Sequence, residues 1–532
     1  MSLKLVATGA AAEAVADSID QLVAEKFASR LFAKDFTLWG KEAEGESSKR
    51  LGWTHSGSDS QALVSSILEL RDHFQAAGVN RFVLCGMGGS SLAPEVITKT
   101  AGVELVVLDS TNPEQVAAAL AEGIERTAVV VSSKSGSTVE TDSQKRSFEA
   151  AFTAAGIEKT DRIVIVTDPG SPMEAAAKAD GYRIFNADPT VGGRYSALTA
   201  FGLVPSGLAG VDIATLLTDA VAAAEILSAD SPVNPGLQLG AILARTKGAS
   251  GYRNKVGVVS LDTPIHGFGD WAEQLIAEST GKIGRGVLPV VLSADSYESK
   301  HDLVDLVKVA VVANASDAAG FDAAVSGSLG AQFLLWEVAT AVAGALLGVN
   351  PFDQPDVESA KIAARGMLEK RAAAVAPHFV SEGVEVRSTS LNLGSAQTVG
   401  EAIRALFAEL GSQGYVSIQV YLDRISHASA EVLREQVAAA TGRPTTFGWG
   451  PRFLHSTGQY HKGGPREGVY LQITQSSEQD LAVPGRDFTY GELITSQAAG
   501  DANVLGNLER PVLTLTLSDV EAGIKTIQAA IG

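Results

Sequence analysis

The chain has 532 residues, 45% of them hydrophobic and 19% charged, with 54 glycines and a formal net charge of −19. That length exceeds a single core and calls for about two to four domains, and the acidic excess excludes a general nucleic-acid binder, which needs basic surplus to neutralise phosphates. The single cysteine, Cys85, excludes an intrachain disulfide and a thiolate metal cluster, and the eight histidines form no H-E-x-x-H pattern.

Met1 to Ala10 lacks the charged region and apolar core of a signal peptide, and Ala11 to Ala33 has the spacing of an amphipathic helix. Residues 1–60 are expected to form an N-terminal helical segment that becomes polar and loop-like from Glu44 to Ser60. A first α/β domain is expected over 61–209. A helix at Ala62 to Ala77 leads to the strand Phe82 to Cys85, the turn Gly86-Met87-Gly88-Gly89-Ser90-Ser91 and a helix from Leu92. Strands follow at Leu105 to Leu108, Val129 to Val131, Ile163 to Val166 and Arg183 to Phe185, with helical patterns between them. Alternation of this kind predicts a doubly wound parallel sheet, in which ligands bind beyond the carboxyl ends of the strands.

A second α/β domain is expected over 210–370, with strands at Val256 to Ser260, Val287 to Leu292 and Val309 to Ala313. Leu329 to Val349 is apolar enough to raise the question of membrane insertion. Gln332, Glu337 and three glycines interrupt it, and a carboxylate at mid-bilayer is costly, so the stretch reads as a buried core helix. The chain is expected to be cytoplasmic. A C-terminal α/β unit over 371–532 repeats the rhythm at Tyr415 to Leu422, Glu431 to Ala440, Val469 to Thr474 and Val512 to Leu517. Its most irregular part is Thr441 to Glu467, rich in Gly, Pro, Arg and His.

The stretch Ser132-Ser133-Lys134-Ser135-Gly136-Ser137-Thr138-Val139-Glu140-Thr141 follows a β-branched run and opens a helix. Backbone N–H groups at a helix start, the helix dipole and several hydroxyls together make an anion site, and phosphate is the expected occupant. The earlier turn has Gly86-x-Gly88 but Ser91 where a dinucleotide fingerprint has its third glycine. With Asp109 nearby a nucleotide stays an alternative, whereas Gly88 and Gly89 suit close backbone approach to a sugar or phosphate with Ser90 as donor.

Five stretches carry a resemblance in order along the chain. Gly86 to Ser90 resembles the G-[IM]-G-G-S turn of glucose-6-phosphate isomerases, and Ser133 to Thr141 their S-K-[TS]-x-[TS]-T-x-E-T phosphate loop. Val191 to Ser196 is similar to V-G-G-R-[YF]-S, Gln274 to Lys282 to Q-x-x-x-E-S-x-G-K, and Phe352 to Lys361 to F-D-Q-x-x-V-E-x-x-K. The resemblance spans about residues 80–365. It implies two sugar-isomerase (SIS) domains with a site between them, in a homodimer, acting on glucose 6-phosphate and fructose 6-phosphate without cofactor or metal.

Moving a proton between C2 and C1 through an enediol requires a base, a cation for the enediolate, a ring-opening acid–base group and a phosphate anchor. By resemblance Glu278 is the base, Arg194 stabilises the enediolate, and Lys361 assists ring opening. The resemblance also implies Gln274 and Gln354 for sugar hydroxyls. Ser133, Lys134, Ser135 and Thr138 join Gly89, Ser90 and Gly193 around the substrate, with Glu140 orienting neighbouring groups. The plain alternatives are an exposed Glu278 paired with Lys282 at i+4, a turn Arg194 paired with Asp188, and a solvated Lys361.

One departure stands out. The family's histidine stretch, expected between base and F-D-Q motif, is absent there; only His301 lies in that interval. A comparable string, Leu454-His455-Ser456-Thr457-Gly458-Gln459-Tyr460-His461-Lys462-Gly463-Gly464, comes later, in an arrangement that resembles the isomerase half of bacterial bifunctional transaldolase/glucose-6-phosphate isomerases. His455 is the expected ring-opening residue and His461 its rival. Two other classes remain: an isomerase for mannose or amino sugar phosphates, and a non-catalytic SIS module that senses sugar phosphate, although such a module has no need of Glu278, Arg194 and Lys361 together.

Overall fold

The structure is a computed structural model and describes residues 3–249, 251–317, 319–357, 362, 366, 368, 376–476 and 480–532. A four-residue strand, β1 (Lys4–Ala7), opens the chain. The first sheet comprises β2 (Arg81–Gly86), β3 (Val106–Leu108), β4 (Thr127–Ser132), β5 (Ile163–Thr167) and β6 (Arg183–Asn186). β2 and β4 are buried at every residue, as central parallel strands covered by helices must be. The order β3-β2-β4-β5-β6 is parallel throughout and reverses direction at the β2/β4 pair. The Gly-rich turn and the hydroxyl-rich turn leave the carboxyl ends of those two strands, which is where an open α/β sheet binds its ligand.

After a small hairpin, β7 (Lys247–Gly248) and β8 (Gly251–Tyr252), the second sheet is built from β9 (Lys255–Leu261), β10 (Leu288–Leu292), β11 (Leu306–Val312) and β12 (Ala323–Ser326). Its order is β1-β12-β11-β9-β10. The N-terminal stretch, expected to be helical, therefore begins with an antiparallel edge strand, Leu5 opposite Val325, before the helix Gly9–Ala24 starts. The helix Leu329–Leu347 is buried from Gly330 through Gly344 and packs between Pro235–Arg245 and Ile213–Leu227. Small residues permit this approach: a Cβ on Gly330 would lie 2.1 Å from the Leu216 carbonyl oxygen. Residues 44–60, expected to be loop-like, form short helical turns, and just before them Trp39 donates Nε1–H to the Ala341 carbonyl at 2.9 Å.

The third sheet runs β13 (Phe379–Ser381), β14 (Val384–Thr389), β15 (Tyr415–Tyr421), β16 (Thr445–Trp449), β17 (Gly468–Gln475) and β18 (Val512–Leu517), in the order β13-β14-β18-β17-β15-β16. β15 to β18 are parallel, and the β13–β14 hairpin extends the sheet antiparallel on β18. The segment Thr441 to Glu467 is more ordered than its composition suggests. It holds β16, the helical turn Arg452–His455 and the helix Gly458–Gly463. The carboxyl end of β15 faces the first sheet, where Arg424 donates to the Val107 carbonyl at 3.1 Å. A buried lysine joins the third unit to the second: Lys255 Nζ lies 2.7 Å from Asp305 and 2.9 Å from Glu467.

Gly330→Val forces branched carbons against the Leu216 backbone. Denaturant unfolding is expected to show a loss of about 1–3 kcal/mol, and an unchanged midpoint would mean that the helices can separate freely.

Candidate active site

Two backbone turns interlock to form the floor of the site. Gly88 adopts φ +56°, and a Cβ there would lie 2.7 Å from the His455 carbonyl oxygen and 2.9 Å from Gln274 Nε2. Gly89 meets the V-G-G-R turn, since its Cβ would lie 2.1 Å from the Gly193 oxygen. A Cβ on Gly193 itself would meet nothing within 4 Å, so this backbone faces open space. Ser90 is buried beside them.

Arg194 leaves that turn into a buried position and spends its donors in four directions. Nε donates to Ser279 Oγ (2.8 Å) and Nη1 to Gln354 Oε1 (2.9 Å), while Nη2 donates to the Pro351 and Asp353 carbonyls (2.6 and 2.9 Å). The Glu278 carboxylate lies 3.3 Å from Nη1. The turn is supported from behind by Trp53 stacked on Tyr195 at 5.1 Å and by the bridge of Leu51 to Val191. Asp188, the alternative partner for Arg194, instead accepts from Thr190.

Glu278 sits in the last turn of the helix Phe268–Thr280, with Gln274 one turn earlier on the same face. One amide serves two partners: Gln274 Nε2 donates to Glu278 Oε2 at 3.1 Å and to the His455 carbonyl at 2.8 Å. Among the described residues, Gln274 Oε1 is buried without a hydrogen-bond partner. Lys282 does not pair with Glu278. Its ammonium contacts the Asn350 carbonyl and, at 2.8 Å, Asp353, clamping the loop that Arg194 also holds. Burial and the nearby Arg194 guanidinium push its pKa down to about 7.

His455 reaches this site from the third unit, with Nε2 at 3.0 Å from Glu140 Oε1. Gln497, on the helix Tyr490–Asn507, donates to the same carboxylate oxygen at 2.7 Å and accepts from Thr111 at 2.7 Å. Sequence reasoning missed Gln497, because a single glutamine inside an ordinary helix carries no local signal. His461 lies elsewhere: it is buried among Tyr415, Phe453 and Tyr470 with Ser417 and Gln419 beside its ring, and burial drives its pKa well below the usual value. His301 is exposed and stacks on Tyr297.

At the start of the helix Val139–Ala154 the N-cap residue Thr138 makes no side-chain cap; its Oγ1 lies 3.2 Å from Ser133 Oγ. Ser135 and Ser137 pair at 2.9 Å, and the Thr141 hydroxyl is buried without a partner among the described residues. Lys134 points to Asp168, 2.5 Å away, and burial lowers its pKa. The structure thus brings together Gly89, Ser90, Gly193, Arg194, Gln274, Glu278, Gln354, Glu140 and His455, with Ser133, Ser135 and Thr138 in the hydroxyl turn that leads to Glu140. Lys361 lies outside the described residues.

Parallel sheets of this order, with a hydroxyl-rich turn at the point of reversal, define the SIS class of sugar-isomerase folds. Within it, residues 73–287 match the phosphoglucose isomerase family model. The chain is 30% identical over 367 residues to the glucose-6-phosphate isomerase of Rubrobacter xylanophilus, covering 56% of this chain and 84% of that protein. It is 34% identical over 233 residues to a probable glucose-6-phosphate isomerase of Haloarcula marismortui, covering 43% of this chain and 53% of that one. A glucose-6-phosphate isomerase structure from Chlamydia trachomatis shares the fold, with TM-score 0.50 and 22% identity over 58% of this chain and 73% of that one. The protein belongs to the phosphoglucose isomerase family.

Gly88→Ala adds a methyl group against the His455 carbonyl at a backbone angle costing about 1–2 kcal/mol for a non-glycine residue. A crystal structure of the variant should show the His455 turn displaced and its contact with Glu140 lengthened. An unmoved turn would mean that this glycine does not set the approach.

Proposed function

We propose that this chain interconverts glucose 6-phosphate and fructose 6-phosphate by ring opening and proton transfer between C2 and C1. The observation that carries the reading is the convergence of Glu278, Arg194 and a Glu140-oriented His455 through the amide of Gln274. The phosphate sits in the hydroxyl turn at the helix start, where Ser133, Ser135 and Thr138 supply donors. His455 gives a proton to the ring oxygen as its bond to the anomeric carbon breaks, while the anomeric hydroxyl releases its proton to solvent and becomes the carbonyl; the Glu140 carboxylate fixes the imidazole's orientation. Lys361 assists this step by family resemblance.

In the open chain, Glu278 takes the proton from one carbon and returns it to the other, while a hydroxyl proton passes between O2 and O1 so that the carbonyl changes place. The negative charge that develops on the enediolate oxygen is met by Arg194, already desolvated and fixed, so that little reorganisation accompanies the reaction. Gln274 Oε1, buried and unpartnered, accepts from a sugar hydroxyl, and Gln354 holds a second. Each step is proton transfer or charge stabilisation and calls for no metal. Cytoplasmic placement and homodimer assembly belong to the same proposal and rest on the family resemblance.

A coupled assay on glucose, fructose and mannose 6-phosphates tests the reading. Turnover of the first two that survives a chelator is expected. Preference for mannose 6-phosphate, or activity lost with chelator and restored by zinc or manganese, would contradict it.

Glu278→Gln keeps the shape and removes the base, so kcat should fall by about 10²–10⁴ with fructose 6-phosphate still bound. A variant retaining more than about a tenth of wild-type kcat would place the base elsewhere. Replacing Ser135 and Thr138 together by Ala removes two anion donors worth about 1.5–3 kcal/mol each, so KM should rise at least about ten-fold. An unchanged KM would move the phosphate to another part of the site. For His455→Ala, loss should be confined to sugars that must open. 5-Deoxyfructose 6-phosphate cannot close a five- or six-membered ring, and deuterium exchange at its C1 should survive while turnover of fructose 6-phosphate collapses. Equal loss on both would remove His455 from the ring step.

A further inference from the structure

The turn that carries His455 begins at Arg452, one helical turn earlier, and the Arg452 side chain, 11% exposed, lies against two carboxylates of the first unit. Its guanidinium contacts Glu95 through Nη2 and lies 3.0 Å from Asp109 through Nη1. Glu95 is on the helix that follows the Gly-rich turn, and Asp109 follows β3 directly, so both are fixed to the same sheet as Glu140. Arg424, just beyond β15, grips the same carboxylates from the other side, 3.0 Å from Glu95 and 3.5 Å from Asp109. Although burial opposes ionisation, the two guanidiniums hold Glu95 well below the usual carboxylate range.

Resting on the isomerase reading above, we propose that Arg452 is a positioning residue for ring opening: its fork onto Glu95 and Asp109 sets where the His455 imidazole stands. A guanidinium spreads its charge over two nitrogens and so reaches both carboxylates at once, as ion pairs rather than aligned hydrogen bonds, where a lysine ammonium is a single point charge. Glu140 contacts the His455 ring and Gln274 its carbonyl, while Phe453, inside the same turn, is buried against Tyr421 and His461. These contacts hold the imidazole and the apolar side of the turn, and the two-carboxylate anchor holds its start. Misplacement of a reacting group by about 1 Å costs on the order of a hundred-fold in rate, so loosening this anchor acts on chemistry before it acts on binding.

The test compares wild type, Arg452→Lys, Arg424→Lys and His455→Ala on fructose 6-phosphate and on 5-deoxyfructose 6-phosphate, the latter read by deuterium exchange at C1. For Arg452→Lys, kcat on fructose 6-phosphate should fall at least about ten-fold, with KM and exchange on the open analogue within about two-fold of wild type. Arg424→Lys, which loosens the same carboxylates without holding the His455 turn, should stay within about two-fold on both. Equal loss on both substrates for Arg452→Lys, or no loss, overturns the assignment, as does a ring-specific loss of equal size in Arg424→Lys. If His455→Ala shows the ring-specific loss and Arg452→Lys does not, only this inference fails. If His455→Ala shows none, the assigned ring step fails and this inference with it.

Discussion

The structure depends on a guanidinium buried where the units meet. Arg194 is almost wholly out of water, and an unpaired charge there would cost many kcal/mol, so every donor must find an acceptor. Its acceptors come from different parts of the chain: Ser279 and Glu278 from one helix, and Pro351, Asp353 and Gln354 from the loop after the long apolar helix. Satisfying one side chain therefore fixes Glu278, the loop and the turn of the first sheet relative to one another. Lys282 reinforces the same loop from just beyond the helix Phe268–Thr280. A charge held this way is preorganised, which is what stabilising a developing enediolate demands.

The third unit docks on the other two through apolar contacts, Tyr460 with Val259 and Leu288 and Tyr490 with Val83 and Phe148, and through polar and charged ones. Glu95 and Asp109 meet Arg424 and Arg452, Glu140 meets His455 and Gln497, Lys255 bridges Asp305 and Glu467, and Glu298 takes Arg434 at 2.7 Å. Ion pairs of this kind contribute modest net stability but penalise wrong registers heavily, because a shifted interface leaves buried charges unpaired. Such an interface suits a unit whose contribution is one imidazole in one place. Gly88 makes the close approach possible, and the Gln274 amide ties the base to the histidine turn.

The central strands were legible because the β-branched run Val129 to Val131 can satisfy burial on both faces only as a strand, and Val512 to Leu517 alternates leucine with threonine at the period of a strand. The helix Leu329–Leu347 was legible from length and continuity of apolar residues. β1 and the β13–β14 hairpin were not, since a four-residue edge strand and a short polar hairpin take their pattern from partners distant in sequence. The site was legible as motifs, and the folded chain gathers Glu278, Arg194, Gln274 and Gln354 from segments up to about 160 residues apart. Which histidine enters the site was not legible. His455 and His461 share one short string, and only the packing of Tyr415 and Tyr470 around His461 separates them. The Lys134–Asp168 pair and the Gln497 contact were equally invisible, because each depends on tertiary approach rather than spacing.

A crystal structure of the full chain with fructose 6-phosphate bound in its ring form tests the central claim, that the third unit supplies the ring-opening group to a site built by the first two. The account predicts phosphate in the hydroxyl turn, C1 and C2 facing the Glu278 carboxylate, and the ring oxygen within about 3 Å of the His455 imidazole. A sugar bound with its ring oxygen remote from His455, or with C1 and C2 turned away from Glu278, would contradict it.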